Sequence, residues 1–194
     1  MRHAFLFIFV FGIVAIFSPT TVAAQRDYFT PEEIELIRDA QKIDDRMEVL
    51  TKIIDRRFAA LNLNVGGAKF SSKDTDKWGI LPESTRFELL LDIKRVLQKA
   101  IDDIDSLSER PESAILPDPD DKKAKQTFAD LFPKAVRHLA AAAERYRPAL
   151  KGELDKPNDK GETGSILDSL EFCDQIIAAV TKLPAETAKK KGKN

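Results

Sequence analysis

Residues 30–61 open with a nearly complete helix-start signature and continue through about eight turns of unbroken apolar periodicity, and no other stretch limits the possible folds as much. In Thr30-Pro31-Glu32-Glu33 the threonine hydroxyl can take the amide of Glu33, and proline occupies the first helical position, where no amide is needed. Glu33 can in turn reach back to the amide of Thr30, while Phe29 and Ile34 flank the cap as a hydrophobic staple. Leu36, Ala40, Ile43, Met47, Leu50, Ile54 and Leu61 then follow the alternating four-and-three spacing of a coiled-coil seam, broken only where Arg57 takes a seam position beside Phe58. The expectation is one long helix with one apolar seam, which needs partner helices to cover it.

The rest of the chain supplies the partners. Asn62, Asn64, Gly66, Gly67, Ser71, Ser72 and Gly79 mark residues 62–81 as a loop, long for a helix connection and carrying Phe70, Trp78 and Ile80. These aromatics can plug one end of the bundle or present a recognition surface. A second helix is expected from between Pro82 and Thr85 to about Leu107, with Phe87, Leu90, Ile93, Leu97, Ile101 and Ile104 inward and Leu89, Val96 and Ala100 widening the stripe. Pro111 and Pro117 end it. A third helix is expected to be capped by Asp118 with Pro119 at its first position and to face inward with Phe128, Phe132, Ala135, Leu139, Ala142, Tyr146 and Leu150. Pro133 removes one of its hydrogen bonds and should kink or split it. Polar residues 151–164 read as a third loop, after which Thr163 or Ser165 caps a fourth helix carrying Ile166, Leu170, Cys173, Ile177 and Val180 and stopped by Pro184. The fold class is therefore all-α, an up-down four-helix bundle whose neighbours are expected to be antiparallel, with a kinked third helix and a long first loop.

Before this domain, Arg2 and His3 precede an apolar run of about 14 residues, short of the roughly 20 that span a bilayer, and then the small-residue site Val22-Ala23-Ala24. Residues 1–24 read as a secretory signal cleaved near Ala24, residues 25–184 as the bundle, and residues 185–194 as a disordered basic tail. Lys189, Lys190, Lys191 and Lys193 give that tail the means of an electrostatic contact with an envelope or membrane surface. Loss of the signal takes away one arginine and no acid, leaving 30 basic against 32 acidic side chains, a balance that argues against nucleic acid as a partner. The lone Cys173 rules out an intramolecular disulfide, so packing must carry stability in the exported chain.

Residue inventory leaves little room for catalysis. His138 is the single histidine after the signal, there is no Cys-x-x-Cys-His, and Ala135 stands where a di-iron bundle would need glutamate. A haem held by Met47 and His138 is the weaker reading beside core filling by the methionine. Cys173 lies on the apolar stripe, where a thiol stays protonated, and no nucleophile elbow, P-loop or dinucleotide fingerprint occurs. Asp155, Asn158, Asp159 and Glu162 resemble calcium ligands, but Pro157 and Lys160 fall where an EF-hand needs oxygens. No cofactor, metal site or catalytic residue is therefore assigned. The candidate ligand or partner residues are Arg57, a cation on an apolar seam that must snorkel or meet a carboxylate; Asp39 and Arg46, which share its edge of a continuous helix; Trp78 and Phe70 in the first loop; and Asp102 and Asp105, acids at one face of the second helix end.

The phrase Thr30-Pro31-Glu32-Glu33-Ile34-Glu35-Leu36-Ile37-Arg38-Asp39-Ala40-Gln41, continued by Ile53-Ile54-Asp55-Arg56-Arg57-Phe58, resembles the opening helix of a group of exported bacterial all-helical proteins with no assigned activity. The resemblance implies export and a helical fold and carries over no functional residue. The expected function is a non-enzymatic binding or scaffolding module of the periplasm or exterior, with a protein partner or a second copy as its target. The alternative is a bundle that binds a small ligand, a metal ion or an anion.

Overall fold

The computed structural model describes residues 27–71, 74–115, 126–156 and 159–184. The expected signal and basic tail, with Lys189, Lys190, Lys191 and Lys193, and the expected cap Asp118-Pro119 lie outside these residues. Among them the chain is all-helical: α1 Pro31–Asp39, α2 Ile43–Ala60, α3 Thr75–Trp78, α4 Arg86–Glu109, α5 Phe128–Leu154 and α6 Lys160–Ala179, with short 3-10 turns at Pro111–Ser113 and Val180–Lys182. The helix starts follow local chemistry. Reciprocal capping boxes pair Thr30 with Glu33, Thr85 with Glu88, Thr127 with Asp130 and Asp159 with Glu162, each satisfying amides that the first turn leaves over.

The opening stretch is not one helix. At Ala40-Gln41-Lys42 the chain turns, and α1 comes back along α2 with Glu33 level with Arg56 and Arg57 near the far end of α2. Leu36, Ala40 and Ile43 keep heptad spacing across this turn, which is why periodicity alone reads straight through it. Charge placement held the contrary signal, because Arg38 closes α1 and Asp44 and Asp45 open α2, each favourable to a helix dipole of its own.

Three other expectations change. Phe87 is 39% exposed rather than core, because its ring lies over Gly161 at the start of α6, where an added Cβ would meet it at 2.7 Å. The loop expected at 151–164 is shorter: α5 runs on to Leu154 and α6 starts at Lys160, its cap being Asp159 and not Thr163 or Ser165. Two of the acids that resembled calcium ligands thus form a capping box. Third, α5 is not split, and Pro133 and Pro148 both lie inside it.

The core joins Met47, Leu50, Ile54 and Phe58 of α2, Leu90, Ile93 and Leu97 of α4, Leu139, Tyr146 and Leu150 of α5, and Ile166 and Cys173 of α6. Buried Ala135, Ala140, Ala142 and Ala143 let neighbours close on α5. Residue pairings give the directions. Arg57 beside Asp92 and Arg147 beside Asp174 belong to antiparallel pairs, α2 with α4 and α5 with α6. By contrast, Asp44 with Lys134 and Asp55 with Arg145 make α2 and α5 parallel, and Arg86 with Glu162 and Lys94 with Asp168 do the same for α4 and α6. The expectation of antiparallel neighbours throughout is corrected: α4 and α5 are consecutive but touch little, residues 110–127 giving enough chain to cross the diagonal.

Candidate functional site

Asp55, Arg56 and Arg57 are consecutive on α2, so the 100° step of a helix aims them in three directions, and all three are buried. Arg57 faces α1 and α4, Arg56 faces α3 and the chain after it, and Asp55 faces α5 and residues 65–68. Together they fasten to the bundle the two pieces that lie outside its four long helices.

Glu33 is fully buried and is gripped by both arginines. Its Oε1 accepts from Arg56 Nε at 3.0 Å and Arg57 Nη1 at 2.7 Å, and its Oε2 accepts from Arg57 Nη2 at 2.6 Å. Asp92, also fully buried, lies 3.3 Å from Arg57 Nε, so two cations meet two anions and the enclosed group is formally neutral. Remaining donors are used on main chain: Arg57 Nη2 donates to Tyr28 O, and Arg56 donates to Gly79 O and Ile80 O. The Arg56 guanidinium also sits 5.7 Å from the Phe70 ring centre and 5.8 Å from that of Trp78. Such a cluster is tolerable in a low-dielectric interior only because nearly every donor and acceptor finds a partner.

Asp55 anchors the other side. Its Oδ2 accepts from Ala68 N at 2.8 Å, while Oδ1 lies 2.9 Å from the Tyr146 hydroxyl and 3.4 Å from Arg145 Nη1. The chain comes so close that a Cβ at Gly67 would fall 2.2 Å from Asp55 Oδ2 and 2.4 Å from Arg145 Nη1. Tyr146 is buried, as its place on the stripe required, and its hydroxyl reaches Thr51 O as well as Asp55. Burial first, and the Asp55 charge second, push that phenol well above its ordinary range. His138 Nε2 lies 2.9 Å from Thr51 Oγ1, and burial lowers its pKa. Of the two side chains weighed as haem ligands, His138 is hydrogen-bonded to Thr51 and Met47 is fully enclosed in the core.

These anchors shape an open cleft of about 600 Å³ at the end of α2, with Arg56, Ala59 and Ala60 as floor and Phe70 and residues 79–84 as walls. Trp78 is only 6% exposed and joins the core, so it plugs the bundle end. Ile80 and Leu81 face outward at 68% and 37% exposure, and residues 81–85 belong to no helix. The first loop therefore both plugs and presents an apolar surface, with different residues in each role.

Of the other candidates, Arg57 meets carboxylates, but the strip it was to share with Asp39 and Arg46 does not form. The turn puts exposed Asp39 on the far side of the hinge, where Arg46 Nε donates to Ala40 O at 3.0 Å. Asp102 is exposed and accepts from Gln98, and Asp105 is exposed on the same helix end, distant from the Arg57 cluster. The residues sequence reading missed are Glu33, Asp55, Arg56 and Asp92. Glu33 was assigned only to its cap, and the adjacent Arg56 and Asp55 fell off the seam that singled out Arg57. Cys173 is fully buried, and burial pushes its thiol up to about 12. Among the described residues no group of three or more histidine, cysteine, aspartate or glutamate side chains is placed to hold a metal ion, and no helix is long and apolar enough to cross a membrane.

No family model, curated protein or solved structure matches the chain.

Proposed function

We propose that the protein is an exported, non-enzymatic binding or scaffolding module of the cell envelope, and that it takes an extended polypeptide partner in the cleft between the end of α2 and residues 79–84. The observation that supports this reading is Ile80 and Leu81 turned outward on a segment whose preceding carbonyls, Gly79 O and Ile80 O, are fixed from below by a buried arginine. A preorganised apolar edge loses little entropy when a partner lands on it. Leu81, Glu83 and Ser84 line the cleft where a partner strand would lie, and Phe70 offers a side-chain contact. In this reading the long helices form an up-and-down scaffold bent at Pro133, and the lysines of the tail assist by drawing the module to an acidic envelope surface.

The test is selection of peptides on the immobilised protein, followed by titration calorimetry. Peptides of alternating apolar pattern should bind, and Ile80→Asp with Leu81→Asp should abolish binding while the far-ultraviolet circular dichroism stays the same. Binding indifferent to both substitutions would overturn the assignment of the cleft. Export is tested separately, by the mass of the mature chain in its host, which should begin after Ala24.

A further inference from the structure

The hinge between α1 and α2 points to a second arrangement of the same contacts. Residues 40–42 are Ala, Gln and Lys, three good helix formers with neither glycine nor proline among them, and the apolar spacing runs through them in helical register. Their conformations in the hairpin are nonetheless non-helical, with Ala40 at ψ 76° and Lys42 at ψ 143°. Of the four long helices α2 alone starts without a capping box, and Lys42 provides no side-chain cap. Its first amides would be satisfied if the helix simply continued back into α1. The hairpin is held closed by Glu33, the one buried residue of α1, in the clasp of Arg56 and Arg57, by Leu36 and Ile37 packed against the core, and at the hinge by Arg46 to Ala40 O and by Lys42 to Asp45 at the surface.

We propose that α1 exchanges between two copies of this chain. In the exchanged form residues 31–60 make one straight helix of about 45 Å, and α1 of each copy lies in the groove of the other, with its Glu33 gripped by Arg56 and Arg57 of the partner subunit. Every contact of α1 is kept, the hinge gains helical hydrogen bonds, and two-fold symmetry closes the assembly because each copy gives what it receives. The charge cluster then acts as the specificity element, since an incoming helix must bring a carboxylate to a site that holds two buried guanidinium groups and one carboxylate. The exchange stands independently of the cleft, which lies on residues that do not move.

Refolding the purified protein from urea over a range of concentrations, followed by size-exclusion chromatography with light scattering, reads the outcome. Dimer should rise with concentration. Lys42→Pro suits the closed hinge, whose residue 42 has φ −73°, but interrupts the straight helix of both copies, so it should lower the association constant about ten-thousandfold without loss of helicity. Spin labels at exposed positions 35 and 52 in one chain, diluted with unlabelled protein, separate exchange from ordinary association. The distance in the dimer should be about 25 Å, that of a straight helix, against roughly 10 Å between packed helices. A protein monomeric at every concentration, a dimer unaffected by Lys42→Pro, or a dimer retaining the short distance would each overturn the proposal.

Discussion

At the scale of single residues, the consequence of burying Glu33 among Arg56, Arg57 and Asp92 is that no member can be removed alone. Glu33→Gln leaves two buried guanidinium groups facing one carboxylate, and Arg57→Met leaves two carboxylates facing one arginine; each should cost about 3–5 kcal/mol in urea unfolding, the range for breaking a buried pair. If the double variant Glu33→Gln, Arg57→Met costs no less than the sum of the two, they do not form a pair. Gly67→Ala is expected to destabilise through contact rather than through backbone strain, because its Cβ would overlap Asp55 Oδ2 and the neighbouring chain must shift. His138 gives the pH dependence. Its folded pKa lies below the ordinary value of about 6.5, so the unfolded chain binds its proton first and stability falls as pH drops below that value. His138→Gln should flatten the decline in urea midpoint just below pH 6.5 relative to wild type, and an unchanged decline would place its origin elsewhere. Arg57 shows what could be read at this scale without coordinates: a cation on a seam has to snorkel or find a carboxylate, and here it finds two. Which carboxylate could not be read, because Glu33 is brought to it by a turn that carries no glycine or proline.

At the scale of elements, the capping boxes state where α1, α4, α5 and α6 begin, and they were open to reading wherever Thr or Asp stood three residues before an acid. The start of α1 was read that way, and for α4 only the interval from Pro82 to Thr85 was read; at α6 the glycines Gly161 and Gly164 hid the box formed by Asp159 and Glu162. Heptad spacing located the core of every long helix but said nothing of the reversal at residues 40–42, since a turn of three residues preserves the phase. Trp78 belongs to this scale because it ties the short α3 to the core under Lys52 and Arg56. Trp78→Ala should cost about 3–5 kcal/mol, the usual loss for a large aromatic, and should open the chain between residues 66 and 81 to limited proteolysis before the long helices are cut. Cleavage that begins in α5 or α6 instead would show that the loop is held by something other than this side chain.

For the whole molecule, the account is a four-helix scaffold to which α1 and the segment from residue 61 to residue 85 are attached through adjacent residues of α2. Composition and periodicity disclosed the all-helical class, yet the parallel pairing of α2 with α5, which sets α5 diagonally from α4, is encoded in no local pattern. If Asp55, Arg56 and Arg57 are the attachment, then losing one should loosen its own piece and spare the rest. Native-state hydrogen exchange on Arg56→Met makes that comparison directly. The account predicts that the amides of residues 74–79 lose protection, together with those of α1, whose Glu33 loses half of its clasp, while α4, α5 and α6 exchange as in wild type. Uniform loss of protection across all helices, or no change at residues 74–79, would contradict it.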